Sequence, residues 1–293
     1  MKRVFIIFNP SARGEKSQRL LHFLESKSGP NVTLAPTLCA GDATRLAAQG
    51  AATGHDIIVA AGGDGTINEV VNGLRLTGTT LGVIPLGTAN VFARELGIPL
   101  RFEEAWRVFE AGVERTVDLG VAEFNGQRRF FVQLAGIGLD ARAVRNVNWK
   151  LKKRIGPLSY IWAALRAIGE QPADVEVHTT ETGLAGRGAL VLVGNGRFYG
   201  GSFRVFPGAE MNDGLLDICV FERPGYYNAI RHGFGILTGS HINMRGVKYF
   251  RSAHFTCRAA STAPVELDGE DAGDTTVEFR VAPKALRVIV PAG

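Results

Sequence analysis

Residues 56–74 read DIIVAAGGDGTINEVVNGL. Ile57 to Ala61 are apolar without interruption, the mark of a strand buried on both faces. They run into Gly62-Gly63-Asp64-Gly65-Thr66, beyond which Ile67, Val70, Val71 and Leu74 share one side of a helix. The same order recurs on either side. Upstream, the apolar run Arg3 to Phe8 ends at Asn9-Pro10-Ser11, and the stretch 15–26 then holds Leu20, Leu21 and Leu24 at helical spacing. Downstream, Leu81 to Pro85 leads into Leu86-Gly87-Thr88-Ala89-Asn90 and a helix with Phe92 and Leu96. Apolar strands alternating with helices predict a parallel sheet covered on both faces, which binds ligands beyond the carboxyl ends of its strands.

The chain of 293 residues is 45% hydrophobic, enough for two domains with separate cores. Its texture changes near Val117. Short runs rich in Val, Ile, Phe and Thr (Val117–Phe124, Phe130–Leu134, Ala189–Val193, Leu215–Phe221, Thr275–Val281 and Leu286–Val290) alternate with Gly, Asn and Asp turns. Asn125-Gly126 is a hairpin signal. These features predict a mostly antiparallel β-sandwich interrupted by helices at 158–168 and 226–237. The expected division is an α/β domain with a parallel sheet over 1–122 and a β-rich domain over 123–293, the last strand packing back on the first domain.

Cys39, Cys219 and Cys257 are odd in number, far apart and without the CxxC or CxxH spacing that would suggest a metal site or disulfide framework, which fits a reducing cytosol. Met1-Lys2-Arg3 followed by VFIIF holds too few apolar residues before Asn9-Pro10 for a signal peptide and reads as a buried strand. No run approaches the roughly 18 apolar residues of a membrane span. The expected setting is cytoplasmic, with any membrane contact peripheral. A formal net charge of +5 favours acidic partners such as phosphates or anionic lipid. No RNP-like aromatic strand or zinc finger accompanies that charge, so no nucleic-acid partner is expected. The six histidines form no i, i+4 pair, and no Ser/His/Asp or Cys/His arrangement can be assigned.

The loops NPSARG, GGDGT and PLGTAN each follow a parallel strand and should converge on one crevice. Glycines there let backbone N–H groups approach phosphate oxygens, and the next helix offers its positive N-terminal dipole. One such loop alone is an ordinary tight turn. Three at three strand ends point to a nucleotide polyphosphate, with Asp64 placed to hold Mg²⁺. The P-loop pattern GxxxxGK[ST] is absent. Gly136-Ile137-Gly138-Leu139-Asp140-Ala141 fits GxGxxA formally, but no matching acidic residue and βαβ unit follow, which argues against a dinucleotide site.

These segments, together with GIGLDA, NGRFYGG, the Asn212–Asp217 stretch NDGLLD and Leu267-Asp268-Gly269-Glu270, resemble the lipid kinases built on the diacylglycerol kinase catalytic domain. GGDGT alone is shared with NAD kinases and phosphofructokinases, but the ordered set resembles the lipid kinases. The resemblance implies an NAD kinase/diacylglycerol kinase-like α/β domain, a β-sandwich, and ATP-dependent transfer of the γ-phosphoryl group to a lipid hydroxyl. It implies ATP contacts from Asn9, Pro10, Ser11, Ala12 and Arg13, from Thr37, from Gly62, Gly63, Asp64, Gly65, Thr66, Ile67 and Asn68, and from Thr88. It implies a structural Mg²⁺ on the Asp213 carboxylate and the backbone carbonyls of Glu210 and Leu215, and Glu270 as general base. One departure stands out: many members carry Asp where this chain has Val91.

Between the domains lie Arg142, Arg145, Lys150, Lys152, Lys153 and Arg154, beside Trp149, Tyr160 and Trp162. Basic residues next to aromatics suit an anionic membrane surface, and equally a solvated face ahead of a core helix. The lipid acceptor is the expected partner, and a homodimer is compatible with the pattern. Two other functions use the same residues: a soluble NAD kinase-like enzyme, which would show no lipid dependence, and a non-catalytic lipid-binding protein, which would consume no ATP.

Overall fold

The computed structural model describes residues 2–11, 14–75, 77–124, 126–139, 141–142, 174–180, 182–223 and 225–292. Ala12, Arg13, Asp140, the basic stretch beyond Arg142 and the helix expected at 158–168 lie outside the described residues. Two compact units divide the chain: Met1–Asp118 with Pro283–Gly293, and Leu119–Ala282.

In the first unit, β1 (Val4–Phe8), β3 (Ile57–Gly62) and β4 (Thr80–Pro85) are buried along their whole length. That follows from their unbroken apolar sequence, since only a strand covered on both faces hides every side chain. Between them come α1 (Gly14–Ser26), β2 (Val32–Pro36), α2 (Asp42–Ala52) and α3 (Asp64–Leu74), and after them α4 (Val91–Glu95) and α5 (Phe102–Ala111). The strands run parallel in the order β2-β1-β3-β4, and the end of the final strand, β18 (Val277–Val290), adds to β4 through Arg287 and Val288. Leu20 and Leu24 of α1 and Ile67, Val70, Val71 and Leu74 of α3 are buried. Strand β2 and helices α2 and α5 were not expected from the sequence, although Phe102, Ala105, Trp106 and Phe109 of α5 do stand at helical spacing. Strand β2 is a half-buried edge, and α2 packs through Ala43, Leu46, Ala47 and Gly50, with Leu46 its single large apolar contact.

The second unit begins within β5 (Val113–Phe124) and contains β6 (Gln127–Phe131), β7 (Leu134–Gly138), β8 (Val175–Thr179), β9 (Gly183–Gly188) and β10 (Leu190–Gly194). It continues with β11 (Phe198–Tyr199), β12 (Phe203–Arg204), β13 (Leu216–Phe221), α6 (Tyr226–Thr238), β14 (Val247–Ser252), β15 (His254–Ala259), β16 (Pro264–Leu267) and β17 (Glu270–Asp274). One sheet has the antiparallel order β14-β13-β10-β7-β16-β17, and the other joins the first half of β18 to β15, β8 and β9. Alternate residues of both sheets, among them Val191 and Val193, Ile218 and Val220, Val175 and Val177, and Phe255 and Cys257, fill one core. This is the period of two that a sandwich requires. Phe124 pairs with Gln127, so β5 and β6 form a hairpin.

Two sequence runs map differently from expectation. The run 130–134 is divided between β6 and β7, because Val132 and Gln133 turn out of the ladder. Conversely, 277–281 and 286–290 belong to one strand, Thr275 and Thr276 lying outside it. The interruption is Lys284, in the left-handed region at φ 51°, and its N–H donates to the buried Asp118 carboxylate at 2.7 Å.

The tightest helix contact in the first unit is between α2 and α3. Glu69 accepts from Ala43 N–H at 3.1 Å, and a Cβ at Gly73 would stand 2.3 Å from Thr44 O. Gly73→Ala should therefore cost about 1–3 kcal/mol and lower the melting temperature by several degrees, because backbone cannot yield as a side chain can. A melting curve unchanged from wild type would show that the two helices separate freely.

Candidate active site

At the carboxyl ends of β1, β3 and β4 the three loops are stitched to one another. Asn9 Nδ2 donates to Thr66 Oγ1 at 3.1 Å, while its Oδ1 accepts from Ser11 N–H at 3.0 Å. Leu86 N–H donates to Gly62 O at 2.8 Å. Gly63 and Gly87 meet backbone to backbone: a Cβ on Gly87 would stand 2.8 Å from Gly63 Cα and would part the loops, while one on Gly63 would stand 3.2 Å from Gly87 Cα, a tight fit. Pro10 O accepts from Ser17 Oγ, which ties the first loop to α1. Thr37, buried at the end of β2, donates its N–H to Phe8 O at 2.9 Å.

Asp64, the first residue of α3, turns its carboxylate toward the start of α4. Oδ1 accepts from Phe92 N–H at 3.4 Å, and the amides of Val91 and Asn90 act on the same group. Burial raises the carboxyl above its ordinary value and outweighs these amides, which favour the charged form. Asn90 sits in the left-handed region; its Nδ2 donates to Gly87 O, and its buried Oδ1 has no partner among the described residues. Val91 is buried, so this position is given to packing. Thr88 is exposed. The side chain of Ile67 is in the core and its N–H donates to Gly63 O, so its contribution to a ligand would be indirect. Asn68 is buried and its side chain meets Asn72. The loop before α2 is held by Asp42, whose carboxylate accepts from Leu38 and Cys39 N–H groups; these and Arg45 lower its pKa to about 2.

In the second unit, Glu270 opens β17 just after Asp268-Gly269, both at positive φ (49° and 83°). Gly takes that conformation readily and Asp tolerates it, which makes a tight hairpin. The Asp268 carboxylate accepts from the N–H groups of Val132, Gln133 and Leu134 at 2.7, 2.9 and 3.0 Å. Asn195 Nδ2 donates to Val132 O at 2.8 Å, so two motif loops grip the same turn. Glu270 itself is half-exposed, with Arg129 Nη2 3.8 Å from its Oε2. In the acidic turn, Asp213 Oδ1 accepts from Leu215 N–H at 3.0 Å, and Oδ2 pairs with Arg251, which also reaches Asp217 Oδ2 at 3.5 Å. Burial raises the Asp217 carboxyl, and the charge of Glu210 adds to that rise. Glu210 is exposed, and among the described residues no three His, Cys, Asp or Glu side chains converge as a metal cluster. The oxygen donors of this turn fit the chemistry of a hard cation such as Mg²⁺, which would compete with the Arg251 guanidinium for Asp213.

Residues 3–122 match the diacylglycerol kinase catalytic domain, and residues 133–290 match the YegS C-terminal NAD kinase beta sandwich-like domain. The chain is 35% identical over 300 residues to the diacylglycerol kinase of Bacillus subtilis (strain 168), covering 99% of this chain and 97% of that one. The chain belongs to the diacylglycerol kinase catalytic domain family. It is 32% identical over 295 residues to a "Probable lipid kinase YegS-like" protein of Pseudomonas aeruginosa, with 99% and 95% of the two chains covered. A crystal structure of a Bacillus anthracis str. Sterne protein assigned to the diacylglycerol kinases superposes with a TM-score of 0.83 at 26% identity, covering 99% of this chain and 95% of that one. The names of these relatives support kinase chemistry.

Within this diacylglycerol kinase family member, Asp42, Asn195 and Asp268 hold loops that the sequence reading left without a support. Asp268 and Asn195 were legible as motif residues, but their hydrogen-bond partners, 63 to 136 residues away in the chain, were not. Asp64 carries a testable energetic signature. A carboxyl whose folded pKa exceeds its unfolded value of 3.8 weakens the fold at pH above the folded pKa, and the deficit vanishes as pH falls below the unfolded one. Asp64→Asn, which keeps an acceptor for Phe92 N–H, should melt at or above the wild-type temperature at neutral pH. The two curves should converge in acid. A variant several degrees less stable at neutral pH would instead make the Asp64 charge a net support of α4.

Proposed function

We propose that this protein is an ATP-dependent lipid kinase that transfers the γ-phosphoryl group to the hydroxyl of a diacylglycerol-like or sphingoid-like acceptor at a membrane surface. The observation that carries this reading is the stitching of the Asn9, Gly62–Asn68 and Gly87–Asn90 loops at adjacent strand ends, in a chain whose relatives are named as kinases of lipids. Backbone amides of these loops and the start of α3 would bind the polyphosphate. Magnesium held at Asp64 would neutralise phosphate charge, and magnesium at the Asp213 turn would brace the second unit. Phosphoryl transfer has a loose transition state, so positioning and neutralisation dominate. Glu270 would take the proton as the lipid oxygen bonds to the γ-phosphorus and the bond to the bridging oxygen breaks, releasing ADP.

Incubation with Mg-ATP and a panel of lipids in mixed micelles, with products read by mass, tests the reading. A phosphorylated lipid is expected; phosphorylation of a soluble nucleotide alone would move the assignment to an NAD kinase-like enzyme. Glu270→Gln should lower kcat by about 10²–10⁴-fold and leave the KM for ATP nearly unchanged. It should also remove the acid limb of the rate profile, and a variant that keeps both kcat and that limb would take Glu270 out of the mechanism. Asp213→Ala should abolish the rise in melting temperature that Mg²⁺ gives the wild type, as expected when a cation binds only the folded form. An equal Mg²⁺ response in both proteins would exclude the turn as a metal site.

A further inference from the structure

Half of the large hydrophobic side chains that are exposed among the described residues belong to α6. Tyr227, Ile230, Phe234 and Leu237 are 77, 70, 66 and 68% exposed, and their spacing puts them on one face. The inward face is the poorer one. It seats His232 against Phe221, with ring centroids 5.2 Å apart, and Gly235, where a Cβ would meet Met244 Sδ at 2.6 Å. Ile236 is the one large apolar side chain of α6 packed on the core cluster that contains Phe206 and Phe221. The helix is therefore attached to its unit by small and polar groups and keeps its large apolar groups outside.

Within the two segments that form this face, the formal charge has one sign. Residues 223–248 contain Arg223, Arg231, Arg245 and Lys248 and no Asp or Glu. The helix packs against β12, where Phe203 is 39% exposed and Arg204 is exposed. Residues 195–209 add Arg197 and Arg204, again with no acid, and both guanidiniums lie over the Phe198 ring. At the border, Glu222 pairs with Lys248 at 3.5 Å. A two-fold contact with a second copy would set these cations against themselves without an acid in either segment to answer them. Anionic headgroups supply the missing charge, and the acyl boundary takes the apolar side chains.

We infer that α6 and the β11–β12 hairpin are the surface by which this protein lies on an anionic lipid bilayer. The inference rests on the lipid-acceptor reading for its purpose, but vesicle binding needs no turnover. The test is cosedimentation with phosphatidylcholine vesicles with and without phosphatidylglycerol, for wild type, Ile230→Ser/Phe234→Ser and Arg204→Gln/Arg223→Gln/Arg245→Gln. The wild type should bind only the anionic vesicles, and each variant should bind about tenfold more weakly or worse, since a buried side chain of this size is worth a factor of that order. All three proteins should keep the same melting temperature and the same transfer to lipid in detergent micelles. An absence of micellar transfer in the wild type would sink the kinase reading without touching the docking result. Ile230→Trp should gain fluorescence quenching by brominated acyl chains. Undiminished vesicle binding by the variants, or a fall from dimer to monomer in light scattering on Ile230→Ser/Phe234→Ser, would overturn the docking surface, the latter in favour of a self-interface.

Discussion

The absence of side chains at Gly63 and Gly87 is the constraint on which the first unit's loop cluster depends. With the two backbones in contact, the loop after β3 and the loop after β4 cannot move independently. Leu86 N–H reaching Gly62 O continues the sheet's hydrogen bonding one residue past the strands. Asp64 then lies where its carboxylate meets the first amides of α4, and Asn9 reaches Thr66 from the neighbouring strand end. A β-carbon on Gly87 would remove the approach and one on Gly63 would crowd it, disturbing the alignment of helix starts that the proposed phosphate site needs.

The second unit solves a similar problem with carboxylates instead of glycines. Val132 and Gln133 leave the ladder between β6 and β7, so their N–H groups need partners other than a strand. Asp268 takes three consecutive amides, and that fixes the hairpin from which Glu270 emerges. Glu266, buried beneath it, accepts from Gly269 N–H at 2.6 Å and closes the turn from inside. A turn held by this many charge-assisted bonds gives the glutamate that follows it a defined origin even though its side chain is half-exposed.

What was legible in the sequence follows from what repeats locally. Ile57–Ala61 and Leu81–Pro85 declared themselves as buried strands because every residue is apolar, and Tyr226–Leu237 as a helix because its spacing is regular. Strand β2 and helix α2 were silent: an edge strand is half-covered, and an Ala-rich helix pressed on α3 needs few large side chains. The continuity of β18 was hidden by Pro283-Lys284, because the Asp118 carboxylate that satisfies Lys284 N–H is 166 residues away. For the candidate site, motif order located the loops and the residues in them. It could not say that Ile67 faces the core, that Asp213 is engaged by Arg251, or that the apolar face of α6 points outward, since each depends on partners distant in the chain.

Asp64 also shows how the family pattern and the local energetics interlock. The loops NPSARG, GGDGTIN and PLGTAN contain one carboxylate between them, and burial works against its charge. Amides of residues 90–92 offset part of that penalty, which is why the start of α4 must be close. Next to Asn90 stands the buried Val91, so no neighbouring carboxylate there adds repulsion to the desolvation that Asp64 already bears. A charge kept at such a position is disfavoured by the fold on its own account. A cation or a cation-bound polyphosphate held there, as proposed, would make it favourable, so ligand binding and the ionised state of Asp64 should reinforce each other.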